Sequence, residues 1–305
     1  MWMPTPGLLV LALFMLSALY VHYRGKVRFS LVRGLTSYMV LLAPYNVLMY
    51  LFSRVPATPY LDLQAFPELS PLQQHWRQMR DEALRLQAEG GIRAASSAND
   101  IGFNSFFRTG WKRFYLKWYG ADLASARQLC PFTVALLDSV PGIKAAMFAS
   151  LPPGARLVRH RDPFAGSLRY HLGLVTPNDD ACFIVVDGEK YSWRDGAAVM
   201  FDETYIHFAE NGTDQPRVIL FCDVERPLRG RWIQNFNRCF ANTVMRASSS
   251  QNVPGEPVGV INRVFARVYG LRARAKKLKE RSRFAYYLGK WVLIAGLVWL
   301  IFLSW

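Results

Sequence analysis

The sequence is poor in cysteine, and no two of its cysteines lie at short spacing. The four, Cys130, Cys182, Cys222 and Cys239, form no Cys-x-x-Cys pair in 305 residues. That excludes a disulfide scaffold and a thiolate zinc framework. Cys182 and Cys222 stand in apolar, strand-like runs, which predicts buried, reduced thiols and a reducing compartment. Acidic residues are scarce as well: 22 Asp and Glu face 37 Lys and Arg, a formal net charge of +15. Such a balance calls for a nucleic acid, an anionic membrane surface or a phosphorylated substrate. No basic run resembles a nucleic-acid motif, so no nucleic-acid partner is expected. No internal repeat is present, which excludes a solenoid.

Charge is missing almost entirely from three stretches. Residues 1–23 carry none, and Arg24, Lys26, Arg28 and Arg33 follow. At ~1.5 Å per residue such a stretch crosses a core of ~30 Å. A signal peptide places its positive charge before the apolar run, not after it. Residues 1–23 are therefore expected to form an N-terminal transmembrane helix, with Met1 in the periplasm and Arg24 onward in the cytoplasm. Residues 34–54, uncharged up to Arg54 and divided by Pro44, are expected to form a re-entrant or interfacial helical hairpin. Residues 284–305, with only Lys290 charged and with Trp291, Trp299 and Trp305, suit a C-terminal transmembrane helix ending in the periplasm. Before it, Arg272, Arg274, Lys276, Lys277, Lys279, Arg281 and Arg283 mark residues 241–283 as a basic linker and juxtamembrane helix facing anionic lipid. The first part of that linker, 241–257, is polar and turn-rich.

Residues 55–240 read as a soluble domain with a cytoplasmic location. Leu72–Leu86 has helical spacing, with Ser70 as N-cap and Pro71 at N1. Residues 121–140 form another helical piece around Cys130-Pro131. From Ala146 the pattern turns to strands: Leu168, Tyr170, Leu172 and Leu174 alternate with Arg169, His171 and Gly173. Asp187-Gly188 and Asp195-Gly196 are hairpin signals. Between Gly110 and Gly120, bases interleave with aromatics, and two readings stay open. Lys112, Arg113 and Lys117 hold substrate phosphates, or Trp111, Phe114, Tyr115 and Trp118 form a helical stripe packed into the core. Asp202-Glu203 reads as a turn, and Asp223 and Arg226 as braces at a strand end.

The chemistry concentrates at His160, Asp162 and His207. Two donors at i and i+2 of a strand point to one face, so His160 and Asp162 reach one metal, and His207 completes a two-His, one-carboxylate set. That set leaves open positions on an octahedral ion and suits non-haem Fe(II) oxygenases. Arg159 and Arg161 are expected to point away from such a metal and to meet substrate or pair with acids. Arg217, ten residues beyond His207 on an apolar run, can grip a carboxylate with two bonds.

The stretch from about Met147 to Leu228 resembles the aspartyl/asparaginyl β-hydroxylase family of iron- and 2-oxoglutarate-dependent dioxygenases. The matching strings are Pro153-Gly154, His160-Arg-Asp162-Pro163, Leu168-Arg-Tyr-His-Leu-Gly-Leu174, Trp193-Arg-Asp-Gly196, Phe201-Asp-Glu-Thr-Tyr-Ile-His207 and Arg217-Val-Ile-Leu-Phe-Cys-Asp223. The resemblance implies a mixed α/β chain with a double-stranded β-helix (jelly-roll, cupin-like) core at about 146–228, here between N- and C-terminal membrane helices. It implies His160 and His207 as iron ligands, Arg217 on the distal carboxylate of 2-oxoglutarate, and Arg169 and His171 in the same pocket. The peptide-hydroxylating branch has a Gly where Asp162 stands, so this chain departs from it and restores the full triad. Asp100-Ile-Gly-Phe-Asn-Ser-Phe-Phe107, Gly110–Gly120 and His160–Arg169 resemble a membrane-bound branch, the lipid A 2-hydroxylases of Gram-negative bacteria. That branch implies Fe(II), 2-oxoglutarate and O2 as reactants and C2 of a secondary acyl chain of lipid A as the target, with Lys112, Arg113, Lys117 and Arg161 as candidate substrate contacts. Other readings are another acyl lipid such as an ornithine lipid, a protein Asp or Asn side chain, or a non-enzymatic membrane scaffold.

Overall fold

The computed structural model describes residues 6–35, 37–95 and 100–300, with the backbone alone at 38, 39, 272 and 273. Residues 1–5 and 301–305 of the two expected crossings, Trp305 among them, and the Arg272 side chain lie outside the described residues. In chain order come the helices α1 (Pro6–Tyr23), α2 (Leu31–Leu35) and α3 (Ala43–Leu51), strand β1 (Tyr60–Leu61), and helices α4 (Ser70–Gln74) and α5 (Trp76–Ala88). Strand β2 (Lys112–Trp118) and helices α6 (Ala124–Leu129) and α7 (Pro131–Asp138) follow. Eight strands then run consecutively: β3 (Ile143–Leu151), β4 (Arg156–His160), β5 (Ser167–Val175), β6 (Cys182–Val186), β7 (Glu189–Ser192), β8 (Ala198–Phe201), β9 (His207–Asn211) and β10 (Arg217–Glu225). Helices α8 (Arg231–Phe240), α9 (Val260–Arg281) and α10 (Arg283–Val298) close the described chain.

The strands form two antiparallel sheets, ordered β1-β8-β5-β10-β3-β2 and β4-β9-β6-β7. Successive strands from β3 to β6 are dealt alternately to the two sheets, which is the winding of a jelly roll. β3, β5 and β10 are buried along nearly their whole length, because α5 and α7 cover the outer face of the large sheet. The pleat sorts β5 accordingly. Leu168, Tyr170, Leu172 and Leu174 pack outward under the helices, while Arg169 and His171 face the space between the sheets. β10 does the same with Arg217, Ile219 and Phe221 facing inward. Asp187 and Gly188, both at positive φ, make the expected two-residue turn between β6 and β7.

Several sequence expectations change. The stretch Lys112–Trp118 is strand β2, not a helix. A register shift between Tyr115 and Lys117 changes the phase of the strand, so its aromatics mimic a helical spacing. Ser70 lies inside the first turn of α4 rather than capping it, and the helix expected over 72–86 divides at His75. Residues 241–257 are no free linker. Asn252 there accepts from the backbone N–H of Tyr115 and donates to its carbonyl, both at 2.8 Å, and so closes the edge of β2.

The N-terminal segments are tied to the barrel. Among the described residues α1 is the helix long and apolar enough, by length and composition, to cross a membrane, with mean hydropathy 1.7. Its C-terminal half packs through Ala18 and Val21 against Ala43 of α3. Pro44 does not break a hairpin; it sits in the first turn of α3, where its missing N–H costs nothing. Asn46 of α3 accepts from Ala165 N–H at 3.0 Å and donates to the Pro163 carbonyl at 2.9 Å, clamping the loop after β4. Arg24, expected as a surface charge beside the bilayer, instead enters the barrel end with its side chain 7% exposed. It lies between the rings of Tyr50 and Tyr205, 4.0 and 4.1 Å from their centroids, and donates to Asp202 at 2.7 Å and Thr204 at 2.9 Å. Arg226 meets the same Asp202 oxygen at 2.9 Å. Burial pushes the Asp202 carboxyl up, but Arg226 and Arg24 outweigh it and hold it below the usual carboxylate range. Asp202→Asn leaves two buried guanidinium groups without a counter-charge. It should therefore cost about 3–5 kcal/mol, read as a lower unfolding midpoint of the solubilised protein. An unchanged midpoint would show that this pair of arginines does not hold the N-terminal segment to the barrel.

Candidate active site

β4 ends on His160 and β9 begins on His207, and the two residues face each other across the ladder. Their rings lie 4.2 Å apart. Asp162 is not on the strand, as the i, i+2 argument had it, but in the loop just beyond. Its backbone N–H donates to the Glu203 carbonyl at 2.9 Å, which turns its side chain back toward the imidazoles. One donor atom from each of the three lies within 4.8 Å of the others. His160 Nδ1 is 2.8 Å from the Val158 carbonyl and His207 Nδ1 is 2.9 Å from that of Tyr205. A carbonyl only accepts, so both Nδ1 atoms carry the proton and both Nε2 lone pairs are free. Burial lowers both imidazoles, that of His207 to about 3 with His160 adding to the effect, so both are neutral donors at physiological pH. Two neutral Nε2 atoms and a carboxylate are a fitting donor set for Fe(II).

Arg169 braces this set from behind. Its Nη2 donates to Asp162 Oδ2 at 2.8 Å, leaving Oδ1 toward His160 Nε2 at 3.8 Å. Its Nε faces Asp223 at 3.1 Å and Glu203 at 3.3 Å, and its guanidinium lies 3.7 Å over the Phe221 ring. One guanidinium cannot neutralise three carboxylates. Burial, with Asp223 and Asp162 nearby, raises Glu203 to about 8 against the pull of Arg169, and Ser167 donates to its other oxygen at 2.8 Å. Burial likewise raises Asp162, but Arg169 outweighs it and keeps that carboxyl ionised. Asp202 and Glu203, read in the sequence as a turn, are thus buried members of two ion networks.

The three donors open on a cavity between the sheets. Its far wall holds His171 and Arg217, and its apolar wall is made by Phe103, Phe106, Trp111, Leu157 and Ile219. Arg217 is buried, with its guanidinium 4.2 Å over the Trp193 ring. No acid pairs with it among the described residues, and its Nε has no hydrogen-bond partner. Burial lowers Arg217 to about 10, which leaves it charged at neutral pH. Both ring nitrogens of His171 are also without partners, and burial keeps that ring neutral. A buried cation and a buried imidazole without partners mark a place for a polar, anionic ligand.

The other candidates fall away from the pocket. Arg113 is fully buried and paired with Asp100 at 2.8 Å, so it is no phosphate clamp. Lys117 pairs with Asp138 at 2.8 Å. Lys112 alone of the three is exposed. Arg161 is buried and donates to the Val21 carbonyl at 3.1 Å, at the end of α1, where a cation meets the negative pole of the helix. Sequence reasoning gave no role to Trp193 under Arg217 or to Phe106, whose ring lies 4.7 Å from that of His160. Both stand in strings that carry the family resemblance, but the contact that gives each its role becomes visible only once the strands are paired.

The ornithine lipid ester-linked acyl 2-hydroxylase of Rhizobium tropici is 42% identical over 122 residues, 40% of this chain and 43% of that protein. The human aspartyl/asparaginyl beta-hydroxylase is 28% identical over 163 residues, 51% of this chain and 21% of that one. The matched stretch is therefore less than half the length of either relative. A solved prolyl-4-hydroxylase from Pseudomonas putida aligns over 50% of this chain and 87% of its own, with TM-score 0.34 and 19% identity. The family model described as Aspartyl/Asparaginyl beta-hydroxylase matches residues 73–227, half of the chain. That span takes in every residue lining the cavity between the sheets, and the chain belongs to the aspartyl/asparaginyl beta-hydroxylase family.

Proposed function

We propose that the protein is an Fe(II)- and 2-oxoglutarate-dependent dioxygenase that hydroxylates C2 of a secondary acyl chain of lipid A at the cytoplasmic face of the bacterial inner membrane. The observation that carries this reading is one cavity with the His160–Asp162–His207 donor set at one end and, at the other, the buried cation Arg217, which no acid faces among the described residues. His160, Asp162 and His207 hold the metal, and Arg169 fixes the rotamer of Asp162. Arg217 takes the distal carboxylate of 2-oxoglutarate, with His171 beside it. The bound iron, with 2-oxoglutarate and O2, supplies the oxidising chemistry. The protein orients an acyl chain against the apolar wall and excludes water from it. In this reading residues 1–23 and 284–305 cross the bilayer and 55–240 is the cytoplasmic catalytic domain. Arg161 ties the end of α1 to the loop that carries Asp162, and Arg24, just after α1, is tied to the turn before His207, which sets the site where the first crossing leaves the bilayer.

An ornithine lipid is the second substrate reading, favoured by the printed activity of the rhizobial relative. Lipids extracted from cells expressing the wild-type protein and from cells expressing His160→Ala separate the two by mass spectrometry. We expect lipid A to gain one oxygen on a secondary acyl chain in the first and not in the second. The gain on ornithine lipid alone would move the substrate. No oxygen gained by any lipid, with hydroxylated Asp or Asn found in protein, would overturn the lipid reading.

A further inference from the structure

α9 exposes an apolar stripe that nothing among the described residues covers. Val260, Val264, Val268, Leu271 and Leu278 are 51%, 50%, 43%, 61% and 45% exposed. They recur at i, i+4, i+8, i+11 and i+18, so they lie in one line down the helix. Arg263, Arg267, Arg274, Lys277 and Arg281 recur on the adjoining face, all exposed. None of these five pairs with an acid among the described residues; the ion pair within α9 is Lys276 to Glu280. A helix of this pattern lies in the plane of a bilayer, with its apolar line among the acyl chains and its cations at the phosphates. A second copy of the chain is a poor occupant, because pairing two such stripes brings their basic flanks together. A nucleic acid would leave the apolar line in water.

The root of α9 is fastened to the pocket wall. Asn262 is fully buried; it accepts from Ile101 N–H at 2.8 Å and donates to the Ser248 and Ser249 carbonyls at 2.7 and 2.9 Å. Arg108 donates to the Tyr269 hydroxyl at 3.0 Å. Residues 100–109, held in this way, carry Phe103 and Phe106 into the cavity. We propose that α9 is an interfacial helix seated flat on an anionic bilayer, and that this seat holds the catalytic domain at the membrane surface through residues 100–109, which are fastened to the other side of the helix. The inference deepens the proposed function and rests on it only for the identity of the lipid.

The test uses the full chain with exposed Cys239 replaced by Ser and single nitroxide labels at Val264, Leu271 and Ala266, the last exposed on the opposite side of the helix. In phosphatidylglycerol-containing vesicles, labels at 264 and 271 should be relaxed by oxygen in preference to an aqueous nickel chelate, and the label at 266 the reverse. Equal access of the chelate at all three positions overturns the placement. So does spin–spin broadening at 264 and 271, the mark of a second copy. The paired change Val264→Glu and Leu271→Glu should lower hydroxylation of vesicle-borne lipid about tenfold while turnover of the same lipid in detergent micelles is kept. Unchanged turnover in vesicles, or an equal loss in both, overturns it. Labels seated in the bilayer on a protein that binds no iron would remove the proposed function and leave the placement of α9 standing.

Discussion

His207→Ala should abolish hydroxylation and strip the protein of Fe(II). The residue stands at the start of β9, directly across the ladder from His160, and its Nδ1 proton is fixed by the Tyr205 carbonyl so that Nε2 alone is left to bind. Alteration of groups that merely orient a ligand costs about ten- to a hundredfold in metal affinity, so loss of the ligand itself is expected to cost more. His160→Ala should behave alike. Asp162→Ala should be milder, because the peptide-hydroxylating branch that the sequence resembles manages with Gly there. The measurement is metal content after dialysis, together with the absorption of added Co(II), which reports imidazole ligation independently of turnover. His207 is packed against Phe201, with ring centroids 5.7 Å apart, so circular dichroism must show the fold retained. Near wild-type iron content in either His variant would sink the metal assignment.

The site was legible where its signals are local. His160-Arg-Asp162 is a short string, the alternation of β5 exposes Arg169 and His171 as the odd polar residues on one pleat face, and Asp187-Gly188 allows one kind of turn. What was not legible depends on partners far away in sequence. Arg24 looked like a membrane-flanking charge because Asp202, its counter-ion, lies 178 residues on. Arg113 looked available because Asp100 is unremarkable until β2 is folded against it. β2 itself misled because a bulge shifts its phase and both its faces are covered, so its burial follows neither a period of two nor one of 3.6. Asp162 shows the opposite case. The sequence argument placed it on a strand with His160; the loop placement brings its carboxylate to the same two imidazoles by a different route, through its backbone bond to Glu203.

Arg217→Ala should raise the 2-oxoglutarate concentration needed for half-maximal turnover by one to two orders of magnitude. Two features of the side chain lead there. It is buried and charged at neutral pH, yet no acid faces it among the described residues, unlike Arg113 and Arg226, each paired with an acid, and Arg169, which faces three. Each charge-assisted hydrogen bond it makes to a carboxylate is worth about 1.5–3 kcal/mol, and about 1.4 kcal/mol is a factor of ten in affinity. Arg217→Lys should rescue only in part, since an ammonium cannot offer the two parallel donors of the guanidinium, nor its flat stacking on Trp193. The stability of the cosubstrate-free protein should move the other way. An unpaired buried charge opposes folding, so Arg217→Ala should unfold at the same midpoint as wild type or a higher one. Arg217→Ala would then separate from a merely structural lesion, which lowers the midpoint and leaves the cosubstrate requirement alone. If the requirement is unchanged and the midpoint falls, Arg217 braces the barrel through Trp193 and does not hold the cosubstrate.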